Sequence, residues 1–170
     1  MTRAAALLLA ILCAVGVRAQ NDPFAFMPDG GRGILGTVFA DAEARAWALG
    51  QDMTAEAWQG EIATRAPELG DKPRATLAAY LSVIGPLAED PSGELPPDGR
   101  DIALAQCLSC HSLFTGYLMQ RRDRAGWLST FASPFHRVIE ITPEEREIFA
   151  DYSAINMPMR LEDVPPELRF

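Results

Sequence analysis

The chain has 170 residues, a formal net charge of −8 and 48% apolar side chains, enough for a buried core but short for two ordinary domains. The acidic balance excludes proteins that work by gripping nucleic-acid phosphates, which need a basic face. It permits electrostatic steering toward a basic protein partner.

Residues 1–19 read as an export signal. Met1-Thr2-Arg3 is a short basic start, Ala4 to Val17 is an apolar run, and Val17-Arg18-Ala19 presents small residues where a signal peptidase reads, so cleavage is expected after Ala19. The run is shorter than the roughly 20 residues that span a bilayer, and Leu12 is too bulky to precede a lipoprotein cysteine at Cys13. No later segment is apolar enough to span a membrane.

Residues 20–36 are rich in Gly, Pro and Asp, lack periodicity, and read as an irregular arm. Helical signals then occupy 37–85. Asp41 to Leu49 is alanine-rich, Thr54 can cap a segment through Trp58 and Ile62, and Asp71-Lys72-Pro73 opens a helix carrying Leu77, Tyr80, Leu81 and Ile84. Residues 86–97, with Pro86, Pro91, Pro96 and Pro97, have the composition of a linker. A second helical unit covers 98–156. Asp98 can cap a helix running from Gly99 through Ile102 and Leu104. Thr142-Pro143-Glu144-Glu145 starts another, with a capping hydroxyl, a proline in the first turn and carboxylates at the positive dipole end. Ile148, Phe149, Tyr152 and Ile155 share one apolar face before Asn156 and Pro158 end it. Residues 157–170 form a tail. The expected fold class is all-α.

With Cys13 removed alongside the signal, Cys107 and Cys110 are the remaining cysteines. In an oxidising compartment such a pair commonly forms a disulfide. Cys107-Leu108-Ser109-Cys110-His111, however, matches the attachment signature for c-type haem. Each thiol adds across one vinyl group of the porphyrin, and His111 comes up beneath the iron as proximal ligand. A thioredoxin-like pair would need a βαβ context. A zinc site would need four ligands, for which Cys107, Cys110, His111 and His136 are the only thiols and imidazoles. A plain disulfide makes no use of His111.

On these residues, 97–155 resembles a class I c-type cytochrome: an entry helix, the haem motif, a middle helix, and a closing helix whose aromatic residue packs near the entry helix. Arg121-Arg122-Asp123-Arg124-Ala125-Gly126-Trp127, Thr142-Pro143-Glu144-Glu145 and Asp151-Tyr152 narrow the likeness. They resemble the cytochrome subunits of sulfite dehydrogenases and the haem domains of quinohaemoprotein amine dehydrogenase. The resemblance implies one covalent haem c in a periplasmic electron carrier, the redox subunit or partner of a dehydrogenase, delivering electrons to another cytochrome or an oxidase. It implies no substrate transformation by this chain. Among Arg121, Arg122 and Arg124, a guanidinium can pair with the haem propionates, and Trp127 can donate its indole N–H to the same groups. The plain reading is a solvated basic face with Trp127 in the core.

The distal position departs from those relatives, whose methionine falls in the stretch that is Leu128 to Ile141 here and contains none. His136 can supply a second imidazole. Met157 or Met159 can reach back from beyond the closing helix. The position can also be open, which would make the chain a ligand sensor or a peroxidase-like enzyme. A third role is a structural haem subunit of a larger complex. A thioether ligand raises the reduction potential relative to imidazole, so the ligand sets the carrier's range.

The first half echoes the second. Trp58 then Tyr80-Leu81 follows the order of Trp127 then Tyr152, with a proline-bearing loop between in each. Residues 37–85 are read either as a degenerate, haem-less cytochrome half or as an ordinary helical extension. Either way, one haem is expected.

Overall fold

The computed structural model describes residues 22–87 and 94–170; the export signal read over 1–19, and Pro91, lie outside them. Regular structure among the described residues is entirely helical. The first half contains α1 (Gly31–Val38), α2 (Ala42–Leu49), α3 (Ala55–Arg65) and α4 (Asp71–Ile84). The second contains α5 (Gly99–Cys107), a π-helical turn (Phe114–Leu118), α6 (Arg124–Thr130) and α7 (Pro143–Asn156). No described helix is long and apolar enough to cross a membrane.

The helix starts follow the capping chemistry of the sequence. Asp41, Thr54 and Asp123 accept from the N–H groups of Ala44, Ala57 and Gly126. Asp98–Asp101 and Thr142–Glu145 form reciprocal capping boxes at α5 and α7. One expectation fails: residues 31–36, assigned to the irregular arm, belong to α1. Gly31, Gly33 and Gly36 are poor helix formers, but burial of Ile34, Leu35 and Phe39 stabilises the helix. Gly31 is also needed for close approach, since a Cβ there would stand 2.3 Å from that of Tyr80.

The two 14-residue helices, α4 and α7, pack against each other at the centre. A buried hydrogen bond from Asn156 Nδ2 to Thr76 Oγ1 (3.0 Å) joins them. Each carries the same two attachments: α1 and α3 pack on α4, and α5 and α6 on α7. Gly31 of α1 meets Tyr80 of α4, and Gly99 of α5 meets Tyr152 of α7 in the same way. The tyrosine hydroxyls cross over, Tyr80 donating to Pro96 O (2.5 Å) and Tyr152 to Pro28 O (2.7 Å). Each half thus holds the segment that leads into the other.

The segment read as a linker is packed where it is described: Leu87 N donates to Leu49 O (2.8 Å), and Pro96 receives Tyr80. The tail folds back through two short 3-10 turns, Leu161–Asp163 and Pro166–Leu168, and buries Val164 completely.

Candidate functional site

α5 ends at Cys107, and the next turn brings Cys110 and His111 to the surface. Both thiols are free. Burial pushes the Cys107 thiol up to about 12, with the neighbouring Cys110 adding to the shift. A thiol held protonated in this way is a poor nucleophile for disulfide exchange, and no strand accompanies the pair among the described residues. The thioredoxin-like reading loses its support on both counts. Among the described residues, no group of three or more His, Cys, Asp or Glu lies close enough together to hold a metal ion.

The π-helical turn shapes the bed on which His111 lies. A Cβ on Gly116 would sit 2.1 Å from His111 Nδ1, so only glycine leaves room for the imidazole. Wide π turns recur at functional sites because they re-aim the backbone. This one is tied down from below: Tyr117 Oη and Ser153 Oγ share a buried hydrogen bond (2.9 Å), and the Tyr117 ring packs 5.3 Å from Trp127 and 5.7 Å from Phe149.

Above this bed lies a cavity of about 770 Å³, within the roughly 300–1,000 Å³ of cofactor-sized sites. Cys107, Cys110, His111, Trp127 and His136 all line it, among apolar walls that include Ile102, Phe131 and Phe149. The His111 and His136 rings lie with centroids 6.3 Å apart and planes at 80°. Two metal–imidazole bonds of about 2 Å, with about 1 Å from each nitrogen to its ring centre, give about 6 Å. That separation would suit two imidazoles held by one metal ion. His136 Nδ1 is hydrogen-bonded to Ser133 Oγ (2.8 Å), and His111 Nδ1 lies against the Gly116 backbone. Each ring is left with Nε2 for coordination.

Four further observations fit a flat apolar macrocycle with an acidic edge. The two thiols and His111 share the cavity. Trp127 Nε1 is buried at its wall without a partner. Arg122 also lines it, its guanidinium 5.4 Å from the Trp127 ring and bonded to Thr130 Oγ1 (3.0 Å). Phe135 and Val138, 86% and 75% exposed, add apolar surface at the cavity.

The other expected ligands fall elsewhere. Arg124 is committed to Asp151 (2.6 Å) and Glu147. Arg121 is exposed and does not line the cavity, so of the three arginines only Arg122 borders it. Met157 is buried in the core, and Met159 packs against it with its N–H on Leu118 O (2.9 Å). Neither methionine borders the cavity.

Gly116 and Ser133 carry parts of this site that motif reading missed. Ser133 has a local signal, a hydroxyl three residues before His136 in a turn-forming stretch. Gly116 has none, because its role depends on a π turn that no periodicity announces. No family model matches the chain, and no curated protein or solved structure matches it significantly.

Proposed function

We propose that this chain is an exported c-type cytochrome of class I type, carrying one haem c covalently bound through Cys107 and Cys110. His111 and His136 are its axial ligands, and it passes single electrons between proteins. The observation that carries the reading is the pair of imidazoles, 6.3 Å apart between ring centroids, at an apolar cavity that both thiols line. When bound, the haem supplies a one-electron couple. The chain's residues supply attachment at two thiols, two imidazole nitrogens, an apolar wall that excludes water, and Arg122 with Trp127 Nε1 for the propionates. The crossing of α5 and α7 at Gly99 and Tyr152 also supports the class I likeness, which implies an aromatic residue of the closing helix against the entry helix.

With both axial positions filled from the chain, a substrate has no open coordination site, which favours electron transfer over peroxidase-like or sensory chemistry. A dehydrogenase is the expected donor, and another cytochrome or an oxidase the acceptor, in the periplasm. The first half is a cofactor-free copy of the same helical frame that braces the second.

The test is expression in cells with working cytochrome maturation machinery, followed by denaturing electrophoresis and acid–acetone extraction. Haem that stays on the polypeptide and is lost in Cys107→Ala/Cys110→Ala is the expected result; a colourless chain overturns the reading. Replacing His136 with alanine should convert a low-spin spectrum to high spin and open the reduced protein to carbon monoxide. An unchanged low-spin spectrum would return the distal position to Met157 or Met159.

A further inference from the structure

The segment carrying His136 has no regular structure. Residues 131–141 are turns stitched by short-range backbone hydrogen bonds, among them His136 N to Ser133 O (3.2 Å) and Arg137 N to Ser133 O (3.0 Å). Its neighbours Phe135 and Val138 are exposed. His111, by contrast, sits on a π turn anchored to α7 by Tyr117 and Ser153. The distal imidazole thus lacks the rigid support of the proximal one, and its one side-chain hydrogen bond goes to Ser133 Oγ at 2.8 Å.

We propose that Ser133 is the positioning residue of the distal ligand: its hydroxyl fixes the tautomer and plane of His136 and sets how tightly that imidazole holds the iron. This rests on the bis-histidine reading above. The argument is one of proton placement. Coordination through Nε2 requires the Nδ1 tautomer, whose N–H then needs an acceptor. Ser133 Oγ accepts that hydrogen bond and draws proton density off the ring, which makes Nε2 a stronger donor. The reverse arrangement, with the hydroxyl donating to Nδ1, leaves a proton on Nε2 and blocks coordination. A stronger imidazole donor favours the oxidised iron, so Ser133 also lowers the potential. The serine is anchored for this task by three backbone hydrogen bonds: its N–H on Thr130 O (3.2 Å), and its carbonyl accepting from His136 N and Arg137 N.

The experiment uses the full-length haem-loaded protein in four forms: wild type, Ser133→Ala, Ser133→Thr and His136→Ala. Added imidazole and cyanide are titrated against the ferric protein by optical spectroscopy, and the midpoint potential is measured by redox titration. These ligands must displace His136, so a weaker internal ligand gives tighter apparent binding. Loss of an outer-shell partner weakens metal binding by about 10–100-fold, and Ser133→Ala should tighten the external ligands by that factor and raise the potential. Ser133→Thr keeps a hydroxyl and should restore both towards wild type. If Ser133→Ala leaves affinity and potential unchanged while His136→Ala shifts them, the assignment of Ser133 fails and bis-histidine ligation stands. If His136→Ala also leaves them unchanged, the distal ligand is another residue and both fail. A change in Ser133→Ala that Ser133→Thr does not rescue reduces Ser133 to loop packing and overturns the proposal.

Discussion

The two halves build nearly the same frame and complete it differently. In the first, the space beneath α1, α3 and α4 is filled by the chain's own side chains. Phe39 lies 6.2 Å from Trp58, Trp47 lies 5.9 Å from Trp58, and the Arg65 guanidinium caps Phe39 and Trp47 at 5.1 and 4.6 Å. In the second, Trp127 takes the place of Trp58, Cys107 stands as far beyond Gly99 as Phe39 stands beyond Gly31, and a cavity of about 770 Å³ remains. Both indole N–H groups lack a partner, but Trp58 is enclosed by rings while Trp127 borders open space. The second half has its own aromatic cluster of Tyr117, Trp127, Phe131 and Phe149, but its cavity lies beside that cluster and is lined by both thiols and both imidazoles.

The largest test of this contrast is truncation of the two tryptophans. Trp58→Ala opens a hole in a filled core and should cost about 3–5 kcal/mol, whether or not the second half carries the proposed haem. Trp127→Ala should cost less in the cofactor-free protein, because one side of that ring already faces a cavity, and the gap should narrow once haem is bound. Denaturant unfolding of the four variants and their two parents, with the cofactor-free forms made as Cys107→Ala/Cys110→Ala, reads the difference. Equal costs in the cofactor-free forms would mean the second half is as well packed as the first.

A second test probes what the halves share. A Cβ on Gly31 would stand 2.3 Å from Tyr80 Cβ, and one on Gly99 would stand 2.1 Å from Tyr152 Cβ. Each neighbour is the stiff root of a buried side chain, so Gly31→Ala and Gly99→Ala should each destabilise by about 1–3 kcal/mol through overpacking. Thermal unfolding would show two similar losses. One large loss beside a negligible one would mean that the two crossings are not equivalent.

Much of this was legible beforehand, for physical reasons that differ by element. Thr54, Asp98 and Thr142 announce helix starts because side-chain caps act within three residues, and all three cap as expected. Cys107, Cys110 and His111 were legible as a motif, and their meeting with Trp127 and His136 at one cavity follows that reading. α1 was not legible. Its helicity comes from burial against α4, and its glycines, which argue for a loop locally, serve a crossing with a residue far along the chain. The choice among the arginines was not legible for a related reason. Choosing among Arg121, Arg122 and Arg124 requires knowing that Glu147 and Asp151 of α7 lie across from Arg124, which is tertiary information.

The crossed tyrosines give a smaller, more local effect. Tyr152→Phe removes the bond to Pro28 O, and Tyr80→Phe the bond to Pro96 O. Each should cost about 0.5–1.5 kcal/mol. Amide exchange should speed up across the half boundary: near residues 28–32 for Tyr152→Phe, and near 96–100 for Tyr80→Phe. Loosening confined to the mutated half would show that the hydroxyls do not hold the segments leading into α1 and α5.

The finest difference lies in the caps. Asp98 Oδ1 accepts from Arg100 N (2.9 Å) and Asp101 N (3.0 Å) at the start of α5, while Oδ2 accepts from Arg32 N (3.0 Å) at the start of α1. The corresponding residue of the first half is Gly30, where a Cβ would fall 2.0 Å from Asp98 Oδ2. One carboxylate therefore serves both helix starts, and the glycine makes room for it. Burial raises the Asp98 pKa, outweighing the backbone N–H groups that lower it. A raised folded-state value means that the folded chain binds more proton than the unfolded one between the two values. Stability from this group is then complete below the unfolded value near 3.8 and is lost as pH rises through the folded one. An asparagine keeps one acceptor oxygen for the start of α5 but turns an NH2 group toward Arg32 N, so Asp98→Asn should lose the cap on α1 by an amount that does not vary with pH. The signature of the buried carboxyl is a slope: relative to Asp98→Asn, the wild type should gain stability as the solution is acidified through that window. Urea unfolding of both proteins over a pH series measures it directly. A wild-type advantage that shrinks on acidification would mean that the three backbone donors outweigh burial, making Asp98 an anion-stabilised cap shared by two helices.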